Sequence, residues 1–300
     1  MAAQSRLSFP NPPADSLTKL QTERDAIGAQ YWSTQVSRAR DRSILLVEGE
    51  TDRTCVETAL VSCAPLWSNR VFVIAVGGRA KVLDGLERGT LPGGVKLKQD
   101  PARIFGLVDC DVWIDQEVDA QRLKLPNLHV TEGWCMENSL LLNEHGRVLP
   151  ALDSIDLEAW ADSYALAWAI QSTIEANPQT PAKLYASVSP RRLDWSNLEQ
   201  LEPIVTPLLP AGAQQWAAAL SAPSVVAKAA ARRAALDGLG REELLLKGIH
   251  GKVFMKASDV RVRLARPTVG ADDVRLTLAP NLLSRPFMRA LLQALGLSSP

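Results

Sequence analysis

The chain has 300 residues, 46% of them hydrophobic and 22% charged, with 33 Lys+Arg balanced by 33 Asp+Glu. Zero formal charge argues against a general nucleic-acid coat protein, and no apolar run approaches the length of a membrane span. The four cysteines (Cys55, Cys63, Cys110, Cys135) form no C-x-x-C pair, which argues against zinc and fits a reducing cytoplasm.

The length is that of one or two domains with a sizeable core. Residues 1–14 read as a polar arm punctuated by Pro10, Pro12 and Pro13, without the apolar stretch of a secretory signal. From Asp15 to about Arg40 apolar residues recur at helical spacing. Residues 43–48 form a short apolar run that ends on Glu48-Gly49, as a buried strand of a parallel sheet would. A helix is expected from Asp52 to Ala64, with Thr51 as its cap and Asp52 in its first turn. Val71–Val76 is a second strand, ended by Gly77-Gly78. A helix over 80–87 and a turn at Leu91-Pro92-Gly93-Gly94 follow. Ile104–Val108 is a third strand and ends on Asp109-Cys110-Asp111. A helix over 114–124 and a short strand over 127–130 complete an alternation typical of right-handed βαβ units.

Beyond Leu142 the pattern becomes helical. Leu157, Trp160, Tyr164 and Trp168 make an apolar stripe that reads as core. Residues 214–220 and 225–236 are alanine-rich and separated by Pro223, and 241–262 and 285–296 complete the helical series. Leu282, Phe287, Leu291, Leu292 and Leu295 are placed to dock the C-terminus back on the body. The organisation is thus an N-terminal arm and helix (1–40), an α/β core (41–149), a helical insertion (150–246) and a C-terminal helical segment (247–300). Charge is uneven: Ser221–Pro300 holds 13 Lys+Arg against 6 Asp+Glu. A basic third beside an acidic core suits a phosphate backbone, although a solvated charged face explains it as well.

Two strands that each deliver acid at their carboxyl ends suggest a metal site, because open α/β sheets carry their chemistry there. Magnesium or manganese prefers hard carboxylate oxygens. Asp109 and Asp111, at i and i+2 on an extended segment, would face the same way and reach one ion. Glu48 would bind the same ion or serve as acid–base. Gly77-Gly78-Arg79-Ala80-Lys81 opens a helix with bare amides and two cations, a plausible phosphate contact but equally a plain strand-to-helix turn. No G-x-x-x-x-G-K-[ST] stretch is present, which argues against an in-chain ATPase. The scattered His129, His145 and His250 receive no catalytic role.

The V-E-G-E-T-D stretch (Val47–Asp52), followed by D-C-D (Asp109–Asp111), resembles the Toprim domain of topoisomerases, DnaG-type primases and OLD-family nucleases. Glu137-Asn138-Ser139-Leu140-Leu141 is similar to the E-N-x-L-L segment of stand-alone Toprim-like proteins found beside ATPases in anti-phage defence, such as PARIS-type effectors. Gly251-Lys252 resembles the same group. The resemblance covers about residues 41–145. It implies a Toprim-like α/β core with a mainly parallel sheet flanked by helices, beside the helical insertion. It further implies Mg2+- or Mn2+-dependent cleavage of DNA or RNA, with Glu48 as acid–base and Asp109 and Asp111 as metal ligands. Asp52 and Glu137 would support a second metal, although Asp52 equally suits a helix dipole and Glu137 a helix start. Arg79, Lys81 and Lys252 would contact phosphate, although a solvent-exposed helix junction is the simpler account of Lys252. A separate ATPase partner is implied and a homo-oligomer left open. The alternative is a non-catalytic regulatory or assembly subunit of such a complex.

Overall fold

The computed structural model describes residues 28–175, 189–209, 220–264 and 271–297. The expected arm over 1–14, the first half of the first helix and most of the stretch 214–220 lie outside them. Helix α1 (28–39) leads into strand β1 (Ser43–Val47). Helix α2 (Glu50–Cys63), β2 (Val71–Ala75), α3 (Arg79–Arg88), the short strands β3 (Thr90–Leu91) and β4 (Val95–Lys96), and β5 (Ile104–Val108) follow. Helix α4 (Asp115–Lys124), β6 (Leu128–Val130) and α5 (Met136–Leu140) close the α/β part.

The fold is α/β. Strands β2-β1-β5-β6 form one sheet, every pairing parallel. The chain runs from β1 outward to β2, then crosses back to add β5 on the other side of β1. The order therefore reverses between β1 and β5, opening a crevice at their carboxyl ends.

Alternation along the strands divides the sheet into two apolar faces. Leu45, Val47, Val73, Phe105 and Leu107 pack against Val56, Ala59 and Leu60 of α2 and against Phe287, Met288, Leu291 and Leu295 of the last helix, Pro286–Ala294. The C-terminus thus docks on the body. Ile44, Leu46, Ile74, Val108 and Val130 pack on the other face against Val36, Val82 and Val118. The strands are buried on both sides, which is why they read as unbroken apolar runs.

The helical part is led by α6 (Leu157–Glu175). One side of α6, with Trp160, Ala161 and Tyr164, shares a core with Val112, Trp134, Leu141, Leu245, Ile249 and Phe254. Its other side, with Ala165, Ala169 and Ile170, packs on Leu201, Val205, Val225 and Val226. No helix among the described residues is long and apolar enough to cross a membrane.

Three expectations need correction. Helix α2 starts at Glu50, so its N-cap is Gly49 and Thr51 lies within the first turn; the Asp52 carboxylate accepts the Gly49 amide at 2.9 Å. Residues 241–262 are not one helix but three pieces, Arg241–Gly248, Gly251–Phe254 and Ser258–Leu264. Ile249 and His250 are extended at the first break, a break that apolar periodicity does not register. The Leu91–Gly94 turn joins a small antiparallel hairpin, with Thr90 opposite Lys96.

Gly106 marks a close approach of α3 to the sheet. A β-carbon there would lie 2.7 Å from Leu86 Cδ1 and 2.8 Å from Val82 Cγ1. Overpacking of this kind costs about 1–3 kcal/mol. Gly106→Ala is therefore expected to lower the urea midpoint by a corresponding amount with an unchanged slope; a midpoint equal to wild type would refute this account of the layer.

Candidate metal and acid–base site

Glu48 follows β1 and Asp109 follows β5, so adjacent strand ends deliver them to the crevice. The Asp109 amide donates to Glu48 Oε1 at 2.9 Å. The Asp109 carboxylate is 3% exposed and doubly engaged. Its Oδ1 accepts the Met136 amide at 2.8 Å, at the start of α5, and its Oδ2 meets Lys252 Nζ at 2.7 Å. Asp52 and Glu137 are buried beside it. Glu137 Oε1 lies 3.1 Å from the Arg275 guanidinium, yet neither Glu137 oxygen forms a well-oriented hydrogen bond.

Asp111 departs from expectation. The strand ends at Val108, and Asp111 takes a left-handed φ of 48°. The i, i+2 argument for a shared face with Asp109 fails here, because it requires extended backbone. The Asp111 amide donates to Trp134 O at 2.6 Å, and its Oδ2 lies 3.4 Å from Arg79. Asp111 still faces Glu48 closely enough to oppose its ionisation.

Burial is the largest influence on these acids. Reinforced by Asp109 and Asp111, it pushes the Glu48 carboxyl up to about 8, against the Asp109 amide and Arg79. Burial and Asp109 push Asp52 up to about 7, with Lys252 opposing. Burial also raises Glu137, which Lys252 and Arg275 pull back. For Lys252, burial works against the charged ammonium, but Asp109 and Glu137 outweigh it and hold the proton well above the usual lysine range.

The glycine amides after β2 are not bare. Gly77 and Gly78 both donate to Glu48 O at 2.8 Å, which fixes the backbone of the acid rather than offering donors to a ligand. Arg79 lies over the Trp113 ring at 4.4 Å and also reaches Cys110 O at 3.5 Å. Lys81 is exposed on the following turn.

Lys252 is not at a solvent-exposed junction, as its sequence setting suggested. Asn138, fully buried, brings it to the acids. Its Oδ1 accepts the amides of Cys135 at 2.9 Å and Gly251 at 3.2 Å. Its Nδ2 donates to Leu245 O and Ile249 O, both at 2.7 Å. Gly251 presses so closely on α5 that a β-carbon would lie 2.5 Å from Asn138 N. Asn138 was legible as part of the E-N-x-L-L segment but not as the clamp that seats Lys252. His250 is packed by Trp134 and held neutral, its pKa depressed to about 4 chiefly by burial.

The donor set is hard oxygen, and the raised proton affinities of Glu48 and Asp52 register burial first and neighbouring carboxylates second, a charge that a divalent cation would offset. In type and electrostatics the residues fit Mg2+ or Mn2+. Among the described residues, however, no three His, Cys, Asp or Glu side chains are already drawn together as a metal-ligand group. Lys252 and Arg79 hold Asp109 and Asp111 instead. Comparison with protein-family models, curated proteins and solved structures returned no match.

Glu48 and Asp52 bind protons more tightly folded than unfolded, so their contribution to stability is present at low pH and lost as pH rises from ordinary carboxylate values through 7–8. In chelator, Tm should fall by several degrees between pH 5 and 8.5, and Glu48→Gln and Asp52→Asn should each flatten that fall. Identical pH slopes in wild type and both variants would contradict the electrostatic reading.

Proposed function

We propose that the chain is a divalent-cation-dependent nuclease of Toprim type that hydrolyses phosphodiester bonds in DNA or RNA. The observation that carries the reading is the placement of Glu48 and Asp109 at adjacent strand ends, at the switch point of a parallel sheet, with Asp111 near enough to oppose the ionisation of Glu48 and Glu137 that of Asp52. The sequence resemblance supports the same chemistry and adds the setting: an anti-phage effector under the control of a separate ATPase.

In this reading Asp109 and Asp111 would hold one Mg2+ or Mn2+, Asp52 and Glu137 would contribute to a second, and Glu48 is the acid–base residue. Bound there, the cation supplies Lewis-acid stabilisation of the developing oxyanion and a more acidic water. The chain does the rest. The Asp109 amide fixes Glu48 Oε1 and orients the carboxyl, so Oε2 carries the proton exchanged with the reacting oxygens. A carboxyl that titrates near 8 passes a proton in either direction at cellular pH. Lys252, seated by Asn138 and paired with Asp109, would hold a phosphate oxygen once released from that pair. Arg79, 3.4 Å from Asp111, and the exposed Lys81 would add further phosphate contacts.

The Lys252–Asp109 ion pair favours a second reading. With its central carboxylate already satisfied, the fold would serve as a non-catalytic assembly or sensing subunit that binds a regulatory ion.

The two readings separate in one experiment. Wild type, Glu48→Gln and Asp109→Asn are expressed with the neighbouring ATPase and assayed on DNA and RNA with Mg2+ or Mn2+. The nuclease reading expects cleavage that needs the cation and drops at least about 100-fold in both folded variants. Cleavage undiminished in Glu48→Gln would overturn the role of Glu48, and an intact assembly that cuts nothing with either cation would establish the second reading instead.

A further inference from the structure

The tryptophans of the helical part read from sequence as core, and Trp160 is core, at 3% exposure. Trp168 is not. It is half-buried, and its ring carries Arg232 at 5.1 Å and Lys228 at 5.4 Å, both from the helix Ala222–Ala234. Trp113, in the loop after the D-C-D segment, is covered in the same manner by Arg79 at 4.4 Å.

These two cation–aromatic stacks are joined by contacts. Arg79 touches Asp111 and Cys110 O. Burial disfavours the charge of Arg232, Cys110 and Asp115 lie near enough to oppose that in part, and the guanidinium donates to Lys247 O at 2.5 Å. Lys247 Nζ is 3.6 Å from Asp115. A strip of cation, aromatic, cation and aromatic therefore leads from the acids, over the loop 110–115, onto the face formed by α6 and the helix Ala222–Ala234. Asp115 and Glu117 lie beside it, but Arg79, Arg232, Lys247 and Lys228 leave it positive.

We propose that this strip is the path of an unpaired nucleic-acid strand, so that the enzyme takes single-stranded DNA or RNA in preference to duplex. The inference rests on the nuclease reading above and gives it a substrate class. A guanidinium laid on an indole presents its outer plane to a base and its edge to a phosphate. Alternating aromatic faces and cations is what a single strand requires, because its bases are free to stack while its backbone needs neutralising. A duplex offers no exposed base faces and would engage the cations alone. The two cations over Trp168 are also held within the fold, Lys228 by Thr173 Oγ1 at 3.1 Å and Arg232 by Lys247 O.

The test uses the full chain in a Glu48→Gln background, with labelled single strands of DNA and RNA of one sequence, and the matching duplexes, followed by anisotropy and by quenching of tryptophan fluorescence. Single strand is expected to bind about tenfold tighter than duplex and to quench. Trp168→Ala should weaken it about tenfold, and the half-buried pair Lys228→Gln and Arg232→Gln should weaken it and lower the salt dependence by about one ion each. The latter pair keeps the test informative if Trp168→Ala misfolds. Equal binding of duplex and single strand, or wild-type affinity in the folded variants, overturns the path. The DNA and RNA arms identify the sugar.

Hydrolysis of bis(p-nitrophenyl) phosphate, measured with Glu48 restored, separates the two levels of inference. This small diester needs the acids but not the strip. Its hydrolysis, undiminished by the strip variants while their strand binding falls, supports both readings. Hydrolysis with unaffected strand binding removes the path alone, and strand binding with no hydrolysis by wild type removes the nuclease alone.

Discussion

Burying acid at the carboxyl edge of the sheet is the constraint on which the rest depends. Glu48, Asp52, Asp109, Asp111 and Glu137 face Lys252, Arg79 and Arg275, so the acids outnumber the side-chain cations. A carboxylate withdrawn from water costs several kcal/mol unless charge or hydrogen bonds compensate it. The compensation here is drawn from the whole chain. Backbone amides at Gly49, Asp109 and Met136 serve Asp52, Glu48 and Asp109. Lys252 and Arg275 come from the basic final third. The helical part is therefore not an appendage to a self-sufficient core, since the acids of the first 140 residues are tolerated through cations that arrive more than 100 residues later.

Placement of those cations is a packing problem, and Asn138 solves it. A lysine on a four-carbon stem has wide reach and poor precision. Here its backbone is fixed first. The Asn138 amide bonds both sides of the break between Gly248 and Gly251, and the absence of a side chain at Gly251 lets that segment lie directly on α5. The same short helix gives its Met136 amide to Asp109 and its Glu137 to Arg275. One five-residue helix thus sets the geometry of the anion and of the cation that meets it.

Much of this was legible before any coordinates. The strands were visible as short apolar runs because both faces of the sheet are covered, and their acidic ends because strand ends at a switch point are where polar residues survive. What escaped the sequence has definite causes. The left-handed turn at Asp111 depends on its amide reaching Trp134 O, a contact across 23 positions that no i, i+2 rule contains. The break at Ile249–His250 sits within apolar periodicity that continues through it. Lys252 carries no local sign of burial, since its partner Asp109 lies 143 residues away. Trp168 shares the stripe of Trp160 yet ends under two cations from a helix about 60 residues later in the chain. Local pattern reported local structure faithfully; it could not report charges meeting across the fold.

The double role of Asp109 links the chemistry to its control. One oxygen is committed to the α5 amide and the other to Lys252, so a cation entering the site competes with an ammonium already in place. On the proposed nuclease reading, the ammonium would leave Asp109 readily only on gaining another anion, and a strand phosphate would supply one. Metal and substrate would then favour each other, since each alone would meet a site whose charges are partly satisfied internally. Such mutual dependence would be a restraint in itself, without a lid or moving domain, and a partner protein, where one exists, would have a small lever. The segment from Arg241 to Phe254 is joined to the acids through Asn138, and a shift of that segment would move Lys252 and reset the competition at Asp109.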